Sequence, residues 1–253
     1  MQRPLSARTR VILGALSVAL VLLVWWALTA TIVPRIRFPS PASVWDSLSD
    51  NYVGLIKAAG LTWLRVIAGF VLGVAMGFLS GLSLSRNRIM LAMNDPIIEI
   101  LRPIPPIAAI PFFILWFGLG ELGKILLVAF GCSTILLIAT LGAVRHVPIA
   151  YVESASTLGA GTGEIYRTVV VPSILPTVVA SLRIALGISF SLGIAAEFMG
   201  ASEGLGYRIM LAGRILDTSG MVVGILLVGL LSLVTDHLIR VGSDRLVKWT
   251  VVE

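Results

Sequence analysis

Four ionisable side chains lie within or beside long apolar runs of this sequence: Arg65, Arg183, Glu197 and Asp236. A charged group is costly in hydrocarbon, so such groups usually face a helix-bundle interior, a water-filled cavity or the membrane interface. Arg183 and Glu197 are fourteen residues apart, about four helical turns, which would put both on one face of a helix. Two interpretations stay open. The four groups pair and snorkel, or some of them contact a charged solute.

The sequence lacks the motifs of several enzyme classes. It contains no G-x-x-x-x-G-K-[ST] phosphate-binding loop, no H-E-x-x-H zinc motif and no G-x-S-x-G nucleophile elbow. His146 and His237 are 91 residues apart, which gives no support to a metal site. The single cysteine, Cys132, cannot form an intrachain disulfide. We therefore expect a non-catalytic chain that holds no metal or cofactor.

The composition indicates that these residues are positioned by membrane helices. Of 253 residues, 57% are hydrophobic and only 13% are charged, against about 25% charged residues in a soluble domain. The formal net charge is +6, but the cations are scattered singly between apolar runs and form no basic face for nucleic acid. We predict an all-α, multi-pass membrane protein.

The apolar runs predict six transmembrane helices in a single domain, because one crossing of the membrane takes about 20 apolar residues. Their expected bounds are 11–33, 63–85, 98–120, 125–144, 177–200 and 218–240. With the N-terminus inside, eleven Lys and Arg residues of the short loops and termini are cytoplasmic and six are external. This bias favours both termini on the cytoplasmic side.

The second expected span is rich in glycine, and the third is rich in proline. The second span has a glycine every four residues, at Gly69, Gly73, Gly77 and Gly81, which predicts close packing against another helix. The third span contains four prolines, which remove backbone donors and bend a helix. This segment is either a wall of a solute pathway or a kinked packing helix. The candidate pathway residues are Arg65, Arg102, Pro105, Phe117, Arg183 and Glu197.

The cytoplasmic loop 145–176 is amphipathic and predicts a helix, a glycine turn and a second helix. Residues 147–158 form the first helix, and Gly159 ends it because glycine readily adopts a left-handed conformation. Thr162 can cap the second helix, which we expect to end near Pro172. A folded helical pair at this face is a candidate docking element.

At this loop the sequence resembles the EAA signature of ABC-importer permeases. Glu153-Ser154-Ala155 is followed after three residues by Gly159, and after nine more by Val169-Val170-Val171-Pro172. The signature has Ala, Ile and Leu where this chain has Ser154, Val169 and Val171. The segments around Phe38–Pro41, Leu101–Pro105, Leu115–Gly118, Ala196–Gly200 and Gly204–Gly206 further resemble the nitrate, sulfonate, taurine and bicarbonate permeases.

The resemblance implies a type I importer fold, a place in the bacterial inner membrane and a set of partners. The expected partners are an ABC ATPase dimer that binds ATP and magnesium, a second permease copy, membrane lipid and an extracytoplasmic substrate-binding protein. The resemblance assigns contact with the ATPase to the loop residues Glu153, Ser154, Ala155, Leu158, Gly159 and Pro172. It implies import of a small anion such as a sulfonate, taurine, nitrate, bicarbonate or an organic carboxylate. An ATP-independent secondary transporter is the alternative, although no internal repeat supports it.

Overall fold

A computed structural model describes residues 6–31 and 38–246, and throughout these ranges the regular structure is helical, with no strand. The helices are α1 (Ala7–Thr31), α2 (Pro41–Asp50), α3 (Tyr52–Arg86), α4 (Arg88–Leu101), α5 (Ile110–Phe117), α6 (Glu121–Arg145), α7 (Ile149–Thr157), α8 (Thr162–Ile165), α9 (Val171–Gly200), α10 (Leu205–Arg214) and α11 (Thr218–Leu246). The final two residues of the first expected span, 32 and 33, lie outside the described ranges, as do Arg3, Arg35, Arg37 and Lys248 of the charge count.

Five segments are long and apolar enough to cross a membrane, and a bent pair of helices makes a sixth candidate. The predicted all-α membrane fold is therefore confirmed. The bent pair occupies the third expected span. Here α4 and the segment Pro106–Phe117 meet at 87°, across a break where prolines at 103, 105 and 106 supply no backbone donors.

All four glycines of α3 lie against α6. A Cβ on Gly69 would lie 2.6 Å from Cβ of Val128, and one on Gly73 would lie 2.5 Å from the carbonyl oxygen of Ala129. Gly77 and Gly81 meet α6 in the same way, one to two turns further along. The absence of side chains therefore lets two helix backbones touch, and α3 and α6 form the centre of the bundle.

The main core lies where α3, α6 and α9 meet. It is formed by apolar side chains that are almost fully buried, including Val66, Cys132, Leu136, Ile174 and Leu186. By contrast, only 6% of the apolar window of α1 is buried, so this helix presents apolar side chains on nearly all sides.

The helix after the glycine turn does not end near Pro172, as the proline suggested. It runs without interruption from Thr162 to Gly200, so the expected fifth span is the later part of a 39-residue helix. A π-helical turn over Tyr166–Val170 precedes Val171, whose N–H bonds the carbonyl of Tyr166. Pro172 has no N–H to donate to the preceding turn. The π turn changes the spacing of the backbone hydrogen bonds just before this residue, so the helix continues past the missing bond.

The cap expected of Thr162 is also wrong. Thr162 is the first residue of α8, Gly161 is the N-cap, and no side chain caps this end. Glu164 does lie in the first turn, where the helix dipole favours a negative charge.

Candidate functional site

The connection between α6 and α9 is folded around α7. Gly159 follows this helix with φ of +88°, a left-handed conformation that side-chain-bearing residues rarely adopt. The N–H of Ala160 bonds the carbonyl of Ala155, and the N–H of Gly159 bonds that of Ser156. These bonds satisfy the last carbonyls of α7, so the glycine gives the turn a fixed shape.

Large apolar side chains are exposed on α7 and at Leu158, its C-cap residue. Leu158 is 88% exposed and Ile149 is 69% exposed, and Tyr151 is exposed beside them. Ala155 is half-buried and packs against the core cluster, so it anchors α7 to the bundle. Ala155 and Gly159 do not form one outward face, because Gly159 lies beyond the end of the helix. Leu158 is therefore the most exposed apolar side chain at this turn.

The two halves of the loop motif meet at one groove. Ser154 from α7 and Pro172 from α9 both line an open groove of about 410 Å³, with Tyr151, Thr168, Val169 and Ser173. Glu153 is exposed next to it. Residues eighteen positions apart in the sequence are thus brought to one surface by the turn at Gly159 and the π turn.

At the opposite end of the bundle, Arg65 and Glu197 form a buried ion pair. Nη1 of Arg65 donates to Oε1 of Glu197 at 2.7 Å, and the side chains are 8% and 1% exposed. The hydroxyl of Thr62, one turn earlier on α3, also donates to the Glu197 carboxylate, at 2.9 Å. Two candidate pathway residues are therefore directly bonded to each other.

The start of α10 wraps around the same carboxylate. The backbone N–H of Gly206 donates to Oε2 of Glu197 at 2.7 Å, and the N–H of Leu205 donates to the Thr62 hydroxyl at 2.9 Å. Gly204 has φ of +126°, and a Cβ there would lie 2.5 Å from the Glu197 carboxyl group. Two separate constraints therefore require glycine at position 204: the positive φ angle and the lack of space for a Cβ atom. The dipole of α10 adds a favourable field at the anion.

Arg65 also bonds groups on its other side. Its Nε and Nη2 donate to the Glu121 carboxylate at the start of α6, the latter at 2.9 Å, and Nη1 also donates to the carbonyl of Glu203 at 2.7 Å. Lys124 donates to Glu121 at 3.2 Å. Two cations and two anions thus balance, and the cluster joins α3, α6, α9 and α10. Such a satisfied network fixes helix positions and leaves the two buried groups committed to each other.

Arg183 belongs to a different contact. It forms a bidentate pair with Asp236 of α11, with Nε and Nη2 at 2.8 and 2.7 Å from the two carboxylate oxygens. Glu197 instead bonds Arg65 of α3, so the two charged residues of α9 form ion pairs with two different helices. Arg102, Pro105 and Phe117 are all exposed along the broken α4–α5 segment and do not join either cluster.

Sequence reasoning missed Thr62, Glu121 and Lys124 as members of the cluster. A hydroxyl one turn before a membrane arginine is a weak signal, and Glu121 and Lys124 resemble ordinary charges at a helix start. Glu203, outside the spans, is held by Lys57 at 2.8 Å, and this hydrogen bond lowers the pKa of the Glu203 carboxyl. Within the described ranges, no group of three or more His, Cys, Asp or Glu side chains is placed to hold a metal ion.

Comparison with known proteins places this helical architecture in a family. Residues 69–248 match the family described as binding-protein-dependent transport system inner membrane component. The chain belongs to this family. It is accordingly an inner-membrane permease subunit of an ABC importer.

Relatives and one solved structure agree with this assignment. The chain is 32% identical to the taurine transport system permease protein TauC of Escherichia coli, over 97% of this chain and 92% of that one. It is 29% identical to a putative aliphatic sulfonates transport permease protein, SsuC, of Bacillus subtilis, over 93% and 87% of the two chains. A putative ABC transporter permease of Methanocaldococcus jannaschii is 33% identical over 91% and 89%.

The fold matches an inward-facing MetNI methionine ABC transporter with a TM-score of 0.66, at 22% sequence identity. The match covers 79% of this permease and 97% of that chain. The expected ABC-importer permease fold is thereby confirmed. The family description also implies a substrate-binding protein and an ATPase as partners of the permease.

Proposed function

We propose that this permease imports a small sulfonate in a complex driven by ATP, with α7 as its contact to the ATPase. The observation that carries the proposal is the exposure of Leu158 at the C-cap of α7, a helix that Ala155 and the Gly159 turn hold against the core. An apolar side chain that is 88% exposed at the end of a membrane bundle suits a protein partner. The groove lined by Ser154 and Pro172 offers the adjoining surface.

In this proposal the ATPase binds α7 from the cytoplasm, and both permease termini lie on that side. Glu153, Ser154, Leu158 and Gly159 contact the partner, while Ala155 and Pro172 support the surface. ATP and magnesium belong to the ATPase, where hydrolysis occurs. Closure of the ATPase pair displaces α7, and rigid helices transmit the displacement across the membrane.

Two copies of the permease form the membrane unit, because each chain supplies one α7 and an ATPase dimer has two subunits. The almost fully exposed α1 and the absence of buried side chains on α4 leave helix faces for a second copy. Arg102, Pro105 and Phe117 on the broken α4–α5 segment then line the solute pathway between the copies. Arg65 and Glu197 hold the helices behind that wall, and Arg183 joins α9 to α11.

The transported class follows from the named relatives, which carry taurine in one case and aliphatic sulfonates in the other. A soluble binding protein delivers the solute from the outer side. Nitrate, bicarbonate and organic carboxylates are the competing anions. A binding screen of the cognate binding protein against these anions, followed by uptake into proteoliposomes, tests the substrate class. A binding protein that takes up nitrate and ignores taurine and ethanesulfonate would overturn it.

Co-purification tests the ATPase contact. Leu158→Glu places a charge on the exposed apolar face without touching the core, and we expect the tagged permease to lose its ATPase subunits. Val53→Glu is the matched control, since Val53 is 65% exposed at the opposite end of the bundle. Retention of the ATPase by Leu158→Glu, with normal ATP-dependent uptake, would contradict the assigned surface.

A further inference from the structure

A second cavity lies at the end of the bundle opposite α7, between α2, α3, α10 and α11. Its volume is about 480 Å³. The floor is apolar and includes Leu55, Ala58 and Val223, which are all buried. Polar side chains line the rim. The cavity is separate from the Arg65 cluster, although both use residues of the 202–208 segment.

Gly54 creates the room for a cation in this cavity. A Cβ at Gly54 would lie 2.5 Å from Nη2 of Arg208 and 2.5 Å from Oδ1 of Asn51. The guanidinium of Arg208 therefore lies across the bare backbone of α3, next to the Asn51 side chain. Any larger residue at position 54 would displace both groups.

Arg208 is half-buried, and its guanidinium has no hydrogen bond or ion pair with any residue in the described part of the chain. The neighbouring rim charge, Glu203, is already paired with Lys57 at 2.8 Å. A guanidinium offers five donors in a planar fork that fits an oxyanion in bidentate fashion. The hydrogen bond from Lys57 and, to a lesser degree, the charge of Arg208 lower the pKa of the Glu203 carboxyl. No hydrogen bond joins Arg208 to Glu203, so the partly desolvated donors of Arg208 stay available to an oxyanion.

The rest of the rim suits the remainder of a small solute. Asp217 accepts a hydrogen bond from the N–H of Gly220 at 2.9 Å through Oδ1, and its Oδ2 accepts none from the described residues. The adjacent Leu216 has φ of +59°, the positive value adopted by no other non-glycine residue in the described ranges. Such strained conformations often occur at ligand sites. The cavity thus combines a free cation, an acidic oxygen and an apolar floor.

We infer that this cavity is a binding subsite for the anionic group of a short organic sulfonate, with Arg208 holding the oxyanion and Leu55 and Val223 contacting the carbon chain. Asp217 lies at the rim to accept an ammonium group when the solute is zwitterionic. The inference rests on the proposed function for its solute class. It adds a place on the permease itself where the solute is held on the outer side.

Saturation-transfer difference NMR on the intact permease–ATPase complex tests the subsite without the binding protein. The complex is placed in phosphatidylcholine nanodiscs, and ethanesulfonate and taurine are the probes. We expect signals from the methylene protons of both probes. Arg208→Gln should weaken binding at least about tenfold, since it removes hydrogen bonds to a charged group. Arg214→Gln, on the exposed side of the same helix, should leave the signals unchanged.

The outcomes separate the subsite from the transport proposal. Equal signals in wild type and Arg208→Gln, or none in wild type, would overturn the subsite even if the full complex imports sulfonates normally. Binding that depends on Arg208 but without sulfonate uptake by the full complex would keep the anion site and remove the transported class. Loss of the signals in phosphatidylglycerol discs would identify a lipid phosphate as the occupant and overturn the solute assignment.

Discussion

Arg65 on α3 and Glu197 on α9 form an ion pair of 2.7 Å in which both side chains are more than nine-tenths buried. The pair is embedded among a hydroxyl, two backbone groups and a second carboxylate. A buried pair of this kind contributes little net stability relative to an apolar pair, but the loss of one partner leaves an uncompensated charge. The arrangement therefore ties together four helices at the end of the bundle opposite α7, with this pair at its centre.

Glu197→Gln should lower the stability of the permease by about 1.5–3 kcal/mol, because Arg65 and the N–H of Gly206 lose a charged acceptor while Glu121 still compensates the charge of Arg65. The measurement is thermal unfolding of the detergent-solubilised complex. Lys57→Gln breaks the exposed Lys57–Glu203 pair and serves as the control, with no measurable shift of the melting temperature expected. Equal shifts in the two variants would show that the buried cluster does not hold the helices.

Gly73→Ala should destabilise the α3–α6 contact by about 1–3 kcal/mol, since the new methyl group meets the carbonyl oxygen of Ala129. Gly60 lies on the same helix, and a Cβ there meets nothing within 4 Å. Gly60→Ala should therefore be neutral or stabilising, by up to about 1 kcal/mol, through helix propensity alone. Chemical denaturation of both variants gives the sign of each change in the free energy of unfolding. Two changes of the same sign would contradict the packing role of Gly73.

Gly204→Ala should cost more stability than Gly118→Ala. Both glycines have positive φ, at +126° and +72°, so both substitutions strain the backbone. Only the Cβ at position 204 also meets the Glu197 carboxyl group, whereas the one at 118 meets nothing within 4 Å. The difference between the melting temperatures of the two variants isolates the clash. No difference would mean that α10 shifts freely away from Glu197.

Arg183→Gln and Asp236→Asn should each weaken the α9–α11 contact, and the double variant should lose less than the sum of the two. The expected coupling is about 0.5–1 kcal/mol, since both side chains are partly exposed. Thermal unfolding of the four proteins gives the coupling, and uptake assays accompany it. We expect half-saturating solute concentrations to stay unchanged. A large rise in that concentration for Arg183→Gln alone would assign Arg183 to the pathway instead.

The stabilisation from the contact between Lys57 and Glu203 should decrease as pH falls. Hydrogen bonding from Lys57 holds the pKa of the Glu203 carboxyl below its usual value, so folding favours the ionised form. The contribution is therefore present above the ordinary glutamate pKa and is lost as pH falls through the lowered value. The effect of Glu203→Gln on local amide exchange near 201–204 should accordingly disappear in acid. An effect of constant size across this range would contradict the pairing.

Much of the architecture could be predicted from the chain alone, because an apolar run of about 20 residues has few alternatives in a membrane. The turn at Gly159 was predictable for a local reason as well. The partners of Arg65 were not, since Glu121 and Glu197 lie 56 and 132 positions away and their meeting depends on helix packing. The continuation past Pro172 was missed because a single π turn has no reliable sequence signal.

The cavity beside Arg208 was also beyond prediction. Gly54, Arg208 and Asp217 come from three different stretches of the sequence, and nothing in their spacing indicates that they face one space. The two clusters illustrate the same limit. Residue type indicates which groups need a partner, and only the packed bundle determines which group that partner is.

One uninterrupted helical path, Thr162–Gly200, begins beside α7 and ends three residues after Glu197. At about 1.5 Å per residue its 39 residues extend almost 60 Å, roughly twice the thickness of the hydrocarbon layer. The π turn and both prolines lie at or before Pro176, and the remaining helix to Gly200 has no proline to bend it, so that stretch tilts as one body when its loop end is pushed. A small tilt at the loop end therefore reappears as an opposite excursion at α10. No hinge is required between the two faces of the membrane.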